Sequence, residues 1–120
     1  MNFFEMHLHP APFRKIARGE KTIELRLYDE KRSDLRPGDR IVFLNTEAPE
    51  EKVVTAVKAL HIYEDFSALY AALPLTACGY SEEEAVLADP ADMEVYYSKE
   101  LQQEYGVVGI ELVTLSRGVL

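Results

Sequence analysis

Lys21, Glu24 and Arg26 stand close together in the stretch GEKTIELRL, residues 19–27, and Arg32 follows in DEKRSDLRPGD. Two kinds of chemistry suit these residue types. A lysine or arginine holds a phosphate, a carbonyl or a developing oxyanion. A carboxylate accepts hydrogen bonds from an exocyclic amine such as cytosine N4, or activates water as a general base. Ile23 and Leu25 alternate as the buried side of a strand, which leaves Thr22, Glu24 and Arg26 on the other side with Lys21 just before them. The plain alternative is a wet surface: a solvated lysine after a turn, and a same-face Glu24–Arg26 pair worth at most about 1 kcal/mol. In the functional alternative that side is a pocket wall, and the turn folds Arg32 back to the same rim as Lys21. A glutamate beside two cations has a depressed pKa and is a weak base. Ligand recognition therefore suits Lys21, Glu24, Arg26 and Arg32 better than catalysis. If the protein is an enzyme, Lys21 and Glu24 are the catalytic candidates.

The elements that must position this cluster can be read on either side of it. Phe3, Phe4, Met6 and Leu8 suggest a short strand ended by Pro10. Pro12 suits a helix start, Phe13, Ile16 and Ala17 form one apolar helical face, and Gly19 ends it. A strand follows at residues 21–27. Pro37-Gly38 marks a turn, which Asp39 organises through backbone N–H groups, and residues 41–44 form a strand. Residues 45–51 read as a loop. Residues 53–60 read as a strand apolar on both sides, suited to burial or to a curled barrel. Phe66, Leu69, Tyr70 and Leu73 have helical spacing, with Asp65 or Ser67 as cap and Pro74 as stop. Ser81 and Glu84 resemble a capping box, with Val86 and Leu87 as that helix's apolar side. Residues 92–103 read as one helix with Met93, Tyr96, Tyr97 and Leu101 inward, broken at Gly106 before a last strand at 107–115. The expected class is α+β, a curled sheet with short flanking helices, in one domain spanning residues 1–120.

Composition restricts the partners. The formal net charge is -8, which disfavours a broad surface for long nucleic acid but leaves room for a small pocket. Seven of the 13 basic residues lie between Arg14 and Arg32, so a local positive patch is expected on an acidic protein. Cys78 is the single cysteine, which excludes an intrachain disulfide and favours a small hydrophobe over a reactive thiol. His7, His9 and His61 imply no metal set by spacing, no metal or organic cofactor is expected, and no histidine is expected to serve acid–base transfer at the cluster. There is no Gly-rich phosphate loop, no HExxH and no nucleophile elbow. No apolar window is long enough for a membrane span, and the opening residues do not read as a secretory signal. A cytoplasmic setting is expected, with the oligomeric state open.

The pattern Gly19-x-Lys21-Thr22-Ile23-Glu24-x-Arg26, then Arg32, then Pro37-Gly38-Asp39-x-Ile41-x-Phe43, resembles the ASCH domain family of the PUA-like superfamily. The closing Tyr96-Tyr97-Ser98-Lys99-Glu100 and Tyr105-Gly106-Val107-Val108-Gly109-Ile110 are similar to the end of many short bacterial members. The resemblance implies a small curled β-barrel with flanking helices and a cleft beside the first helix and the strand after it. It implies RNA or a nucleoside or nucleotide as the ligand of that cleft. It also brings an enzyme alternative: some small members are amidohydrolases that deacetylate N4-acetylcytidine with a lysine, a threonine and a glutamate, and ribonuclease activity has been proposed for others. Lys21 matches the lysine, but Glu24 stands where the threonine should be. The completing glutamate should fall near residues 78–84, a position that Cys78 would occupy here, and Glu82, Glu83 or Glu84 could substitute only if their helix turns them inward. A protein-interaction module is the third alternative, expected to expose an apolar patch on the tyrosine-bearing helix rather than a deep cleft.

Overall fold

The computed structural model describes residues 1–119. Its order is β1 (Phe3–Leu8), α1 (Pro10–Ala17), β2 (Ile23–Leu27), β3 (Arg40–Asn45), β4 (Ala48–Tyr63), α2 (Phe66–Ala72), α3 (Glu82–Leu87), a 3-10 helix (Pro90–Val95), α4 (Lys99–Tyr105) and β5 (Val107–Val119). The strands form one five-stranded sheet in the order β1-β3-β4-β5-β2. The β1–β3 pair is parallel and the other pairs are antiparallel. Register shifts interrupt β4 against β5 at Val54/Thr55 and Val57/Ala59. Such bulges bend a strand and increase its twist, and they let the long β4 curl the sheet into a half-barrel. Thr55, fully buried on this strand, keeps its hydroxyl satisfied by donating to the Ile41 carbonyl at 2.9 Å.

One core fills the concave side. Met6 and Leu8 of β1, Phe13 and Ile16 of α1, Ile41 and Phe43 of β3, and Val108, Ile110 and Leu112 of β5 meet there. A second core lies behind β2, where Ile23, Leu25 and Leu27 pack on Phe66, Leu69, Cys78 and Val107. The strand β2 is therefore covered on both sides. Its position in the sheet is fixed by Glu24 opposite Ile110 and Arg26 opposite Val108. Directly opposed residues share a face, so Glu24 and Arg26 point into the curl beside the first core. Among the expected elements, the Pro37-Gly38 turn is held as foreseen: Asp39 accepts the backbone N–H groups of Asn2 and Arg36, both at 2.9 Å. The Asn2 hydrogen bond leads the contributions that keep its carboxyl below the ordinary aspartate range.

Four local expectations need correction. The first helix begins at Pro10, two residues before Pro12. Residues 48–51 belong to β4 rather than to a loop, because Asn45 closes a tight turn with its own side chain. It accepts from the Glu47 N–H at 3.1 Å and donates to Glu51 at 2.8 Å. Val86 and Leu87 do not face inward: they are 83% and 85% exposed, because the six-residue α3 lies over no apolar partner for that side. The stretch 92–103 is not one helix. Ser98 is extended and caps a separate α4 by accepting from the Leu101 N–H. That break sends Tyr96 and Leu101 outward and Gln102 inward.

Gln102 is consequently a structural polar residue. Its Oε1 accepts from the Phe66 N–H at 3.1 Å and its Nε2 donates to the Tyr97 carbonyl at 3.0 Å, pinning the start of α2 to the segment before α4. Gln102→Leu keeps the volume but strands both backbone groups. It is expected to cost about 2–3 kcal/mol in urea unfolding, near the desolvation penalty of unsatisfied buried groups.

Candidate functional site

Sheet order places β1 and β2 at opposite edges, and the curl brings these edges toward each other without closing them. The gap is crossed by a side chain: Arg26 Nη2 donates to the His7 carbonyl at 3.0 Å. At this open seam lies a cavity of about 440 Å³, within the usual range for a small-ligand site. His7 comes from the end of β1, His9 from the N-cap position of α1, and Lys15 from α1. Lys21, Glu24 and Arg26 arrive with β2. Cys78, Gly79 and Tyr80 enter from the loop after α2, and Tyr70, Tyr96 and Tyr97 supply an aromatic side.

The Lys21, Glu24 and Arg26 side of residues 19–27 lines the cavity and is not a wet surface. Glu24, 3% exposed, has both carboxylate oxygens engaged. Lys21 Nζ lies 2.7 Å from Oε1 and Arg26 Nε 2.8 Å from Oε2. Burial pushes the Glu24 carboxyl up, but the two cations and their hydrogen bonds together reverse that and hold it below its ordinary value. Glu24 is therefore an anion that aligns Lys21 and Arg26. It is a poor general base, and its oxygens are already occupied by donors. Lys21 has further N–H donors to offer the cavity, because an ammonium carries three.

Arg32 is not brought to this site. Its guanidinium Nη1 binds both oxygens of Asp29, at 2.9 and 3.1 Å, and it does not line the cavity. The turn folds Arg32 onto its own loop because Asp29 sits three residues earlier and its backbone carbonyl also accepts from the Arg32 N–H. Glu82, Glu83 and Glu84 remain exposed. Glu84 reaches the cavity edge but is committed to the capping box with Ser81, which holds its carboxyl below the ordinary range.

Residues outside the motif complete the walls. Lys15 Nζ donates to the Gly79 carbonyl at 2.6 Å. The hydroxyls of Tyr70 and Tyr80 are 2.6 Å apart, and burial first of all raises both phenol pKa values. They stay protonated near neutral pH, so one proton of the pair remains to be donated. His7 and His9 also line the cavity, where no histidine was expected to be placed for acid–base transfer. The signal for them was their i, i+2 spacing. Lys15 was visible as part of the basic stretch, but the tyrosines carried no local sign of sharing one site.

Burial pushes the Cys78 thiol up to about 11. In the native protein at pH 7.5 it is expected to react with iodoacetamide at least tenfold more slowly than in 8 M urea. Equal rates, followed by mass spectrometry, would show the thiol to be accessible and activated. Among the described residues no cluster of His, Cys, Asp and Glu is arranged to hold a metal ion, and no helix is long and apolar enough to cross a membrane.

The ASCH domain profile matches residues 6–116. The hypothetical protein PH0355 is similar at 30% identity and a TM-score of 0.75, over 96% of this chain and 100% of that one. Protein PF0455 from Pyrococcus furiosus is 32% identical with a TM-score of 0.69, over 95% of this chain and 98% of that one. The ASCH protein from Zymomonas mobilis shares the PUA-like fold at a TM-score of 0.66, with 15% identity over 98% of this chain and 73% of that one. No curated protein matches the chain.

Proposed function

Because the chain belongs to the ASCH domain family, we propose that the seam cavity binds a nucleotide or the end of a short single-stranded RNA. The observation that carries this reading is that the largely buried Lys21–Glu24–Arg26 group and several tyrosines line one concave site. Cations in a sheltered site attract phosphate oxygens, and tyrosine rings stack on bases with little regard to their identity. Lys21 contacts the ligand, Arg26 braces the seam and shapes the pocket, and Glu24 fixes both. With a net charge of -8, a long polyanion is repelled and a small ligand is favoured.

A titration of ¹⁵N-labelled protein with cytidine, N4-acetylcytidine and a short single-stranded RNA at low salt tests this. Shifts collected at Lys21, Glu24 and Arg26 are the expected result. An undisturbed cavity at millimolar ligand overturns the reading and moves the interaction-module alternative ahead, with the exposed Val86, Leu87, Val95 and Tyr96 as its surface.

Hydrolysis is a second reading, favoured by one observation: His7 and His9 both line the cavity. A histidine supplies the acid–base group that Glu24 and Cys78 do not. Release of acetate or of RNA fragments in the same samples, lost in His7→Ala or His9→Ala, would establish it.

A further inference from the structure

We propose that Lys15 and Lys21, converging on the Cys78–Gly79 turn, clamp the terminal phosphate of a mononucleotide. This deepens the nucleotide reading and rests on it. The two lysines come from different elements, α1 and the entry to β2, yet meet at one residue. Lys15 Nζ is anchored on the Gly79 carbonyl at 2.6 Å. The Lys21 stem runs past the other side of Gly79, whose φ of +107° favours glycine, and a Cβ there would sit 3.2 Å from Lys21 Cδ. The turn therefore fixes one ammonium through its carbonyl and gives passage to the other through its missing side chain. Lys21 is only 12% exposed and is further oriented by Glu24. Preorganised cations of this kind recognise anions without having to lose their own freedom on binding.

Charge accounting points the same way. Lys21, Glu24 and Arg26 sum to one positive charge, and Lys15 adds a second. Glu84 at the cavity edge, held by the backbone N–H of Ser81 and interacting with Lys15, takes one charge back, so the wall keeps a net single positive charge. The protein's net charge of -8 acts over a distance that salt screens within about 8 Å. A small dianion inside the cavity thus meets a locally cationic wall, whereas a long chain lies along the acidic exterior. The cavity, about 440 Å³, accommodates one nucleotide better than an extended strand. A terminal phosphate has an additional charge and an additional free oxygen compared with an internal diester, and two ammonium groups can share it.

Isothermal titration of cytidine, cytidine 5′-monophosphate and inorganic phosphate, with the unaltered protein and with Lys15→Gln, provides the test. The monophosphate is expected to bind at least tenfold tighter than cytidine, with inorganic phosphate competing against it. In Lys15→Gln the ratio between the two should fall to about twofold, while Lys58→Gln, whose lysine pairs with Glu111 away from the cavity, retains the full ratio. Retained amide signals of Cys78 and Gly79 in Lys15→Gln separate loss of the ammonium from collapse of the turn. If those signals move, Lys15→Arg must restore at least part of the ratio, or the clamp is overturned. Cytidine binding with no gain from the phosphate overturns the clamp and leaves the nucleotide reading standing. A full ratio in Lys15→Gln overturns the role of Lys15. Absence of binding by both cytidine and its monophosphate overturns the nucleotide reading itself.

Discussion

Glu24→Gln is expected to destabilise the protein by about 3 kcal/mol, the lower end of the cost of breaking a buried ion pair from one side. The substitution preserves shape but removes the charge that Lys21 and Arg26 share. Two cations would then face each other across a neutral amide beside Ile110. Their side chains are 12% and 15% exposed, so water relieves part of the repulsion, which is why the lower end is chosen. Equilibrium urea unfolding at pH 7 should register the loss, together with a fall in Tm on the order of 10 °C. The pH dependence adds a signature specific to this carboxylate. Its folded pKa is depressed from the ordinary 4.5, so its stabilising contribution is complete above about pH 4.5 and disappears as pH falls through the folded value. The difference between the unaltered protein and Glu24→Gln should therefore narrow on acidification. A difference that is constant from pH 7 to pH 3 would show that the ion group adds nothing through its charge.

Phe66→Ala is the second large effect, expected to cost about 3–5 kcal/mol in the same unfolding measurement. Phe66 is fully buried at the centre of the core behind β2. Its ring stacks against Tyr97 at a centroid distance of 6.1 Å and meets Tyr70 edge-on at 6.5 Å. Those tyrosines are the cavity's aromatic wall, so the packing defect should reach the site. Nucleotide affinity is expected to drop even at temperatures where the variant remains folded. Phe66→Leu retains most of the volume and should cost about 1 kcal/mol, with near-normal binding. Equal loss of affinity in both variants would mean that ring stacking, rather than filled volume, holds the wall.

These two residues illustrate what can be read from the chain and what cannot. Ile23, Leu25 and Leu27 announce β2 by alternation, and the spacing of Lys21, Glu24 and Arg26 places them together. What alternation cannot tell is whether the polar side is wet. That depends on β5, which sets Glu24 against Ile110 and turns it into the curl. Arg32 illustrates the reverse problem. Its proximity in sequence suggested the same rim, but Asp29 was a nearer partner and took it. Val86 and Leu87 mark the apolar side of α3 by their hydrophobicity, but a helix of six residues has no obligation to bury it. Ser98 mattered more than the apolar spacing around it, since its cap divides residues 92–103. Lys15, Tyr70, Tyr80, Tyr96 and Tyr97 converge only through long-range packing, which no local period encodes.

The order of strands in the sheet also bears on how the protein is made. Among the described residues β2 pairs with β5 alone, with Ile23 facing Glu111. A growing chain on the ribosome therefore presents Lys21, Glu24 and Arg26 early but has nowhere to dock them until the last strand emerges. Contacts of such sequence separation form slowly because the intervening loop must first be closed. Until then, Glu24 and its cations remain hydrated and the seam does not exist. The cavity is thus a late product of folding, and an interrupted chain that retains the whole motif is expected to lack it.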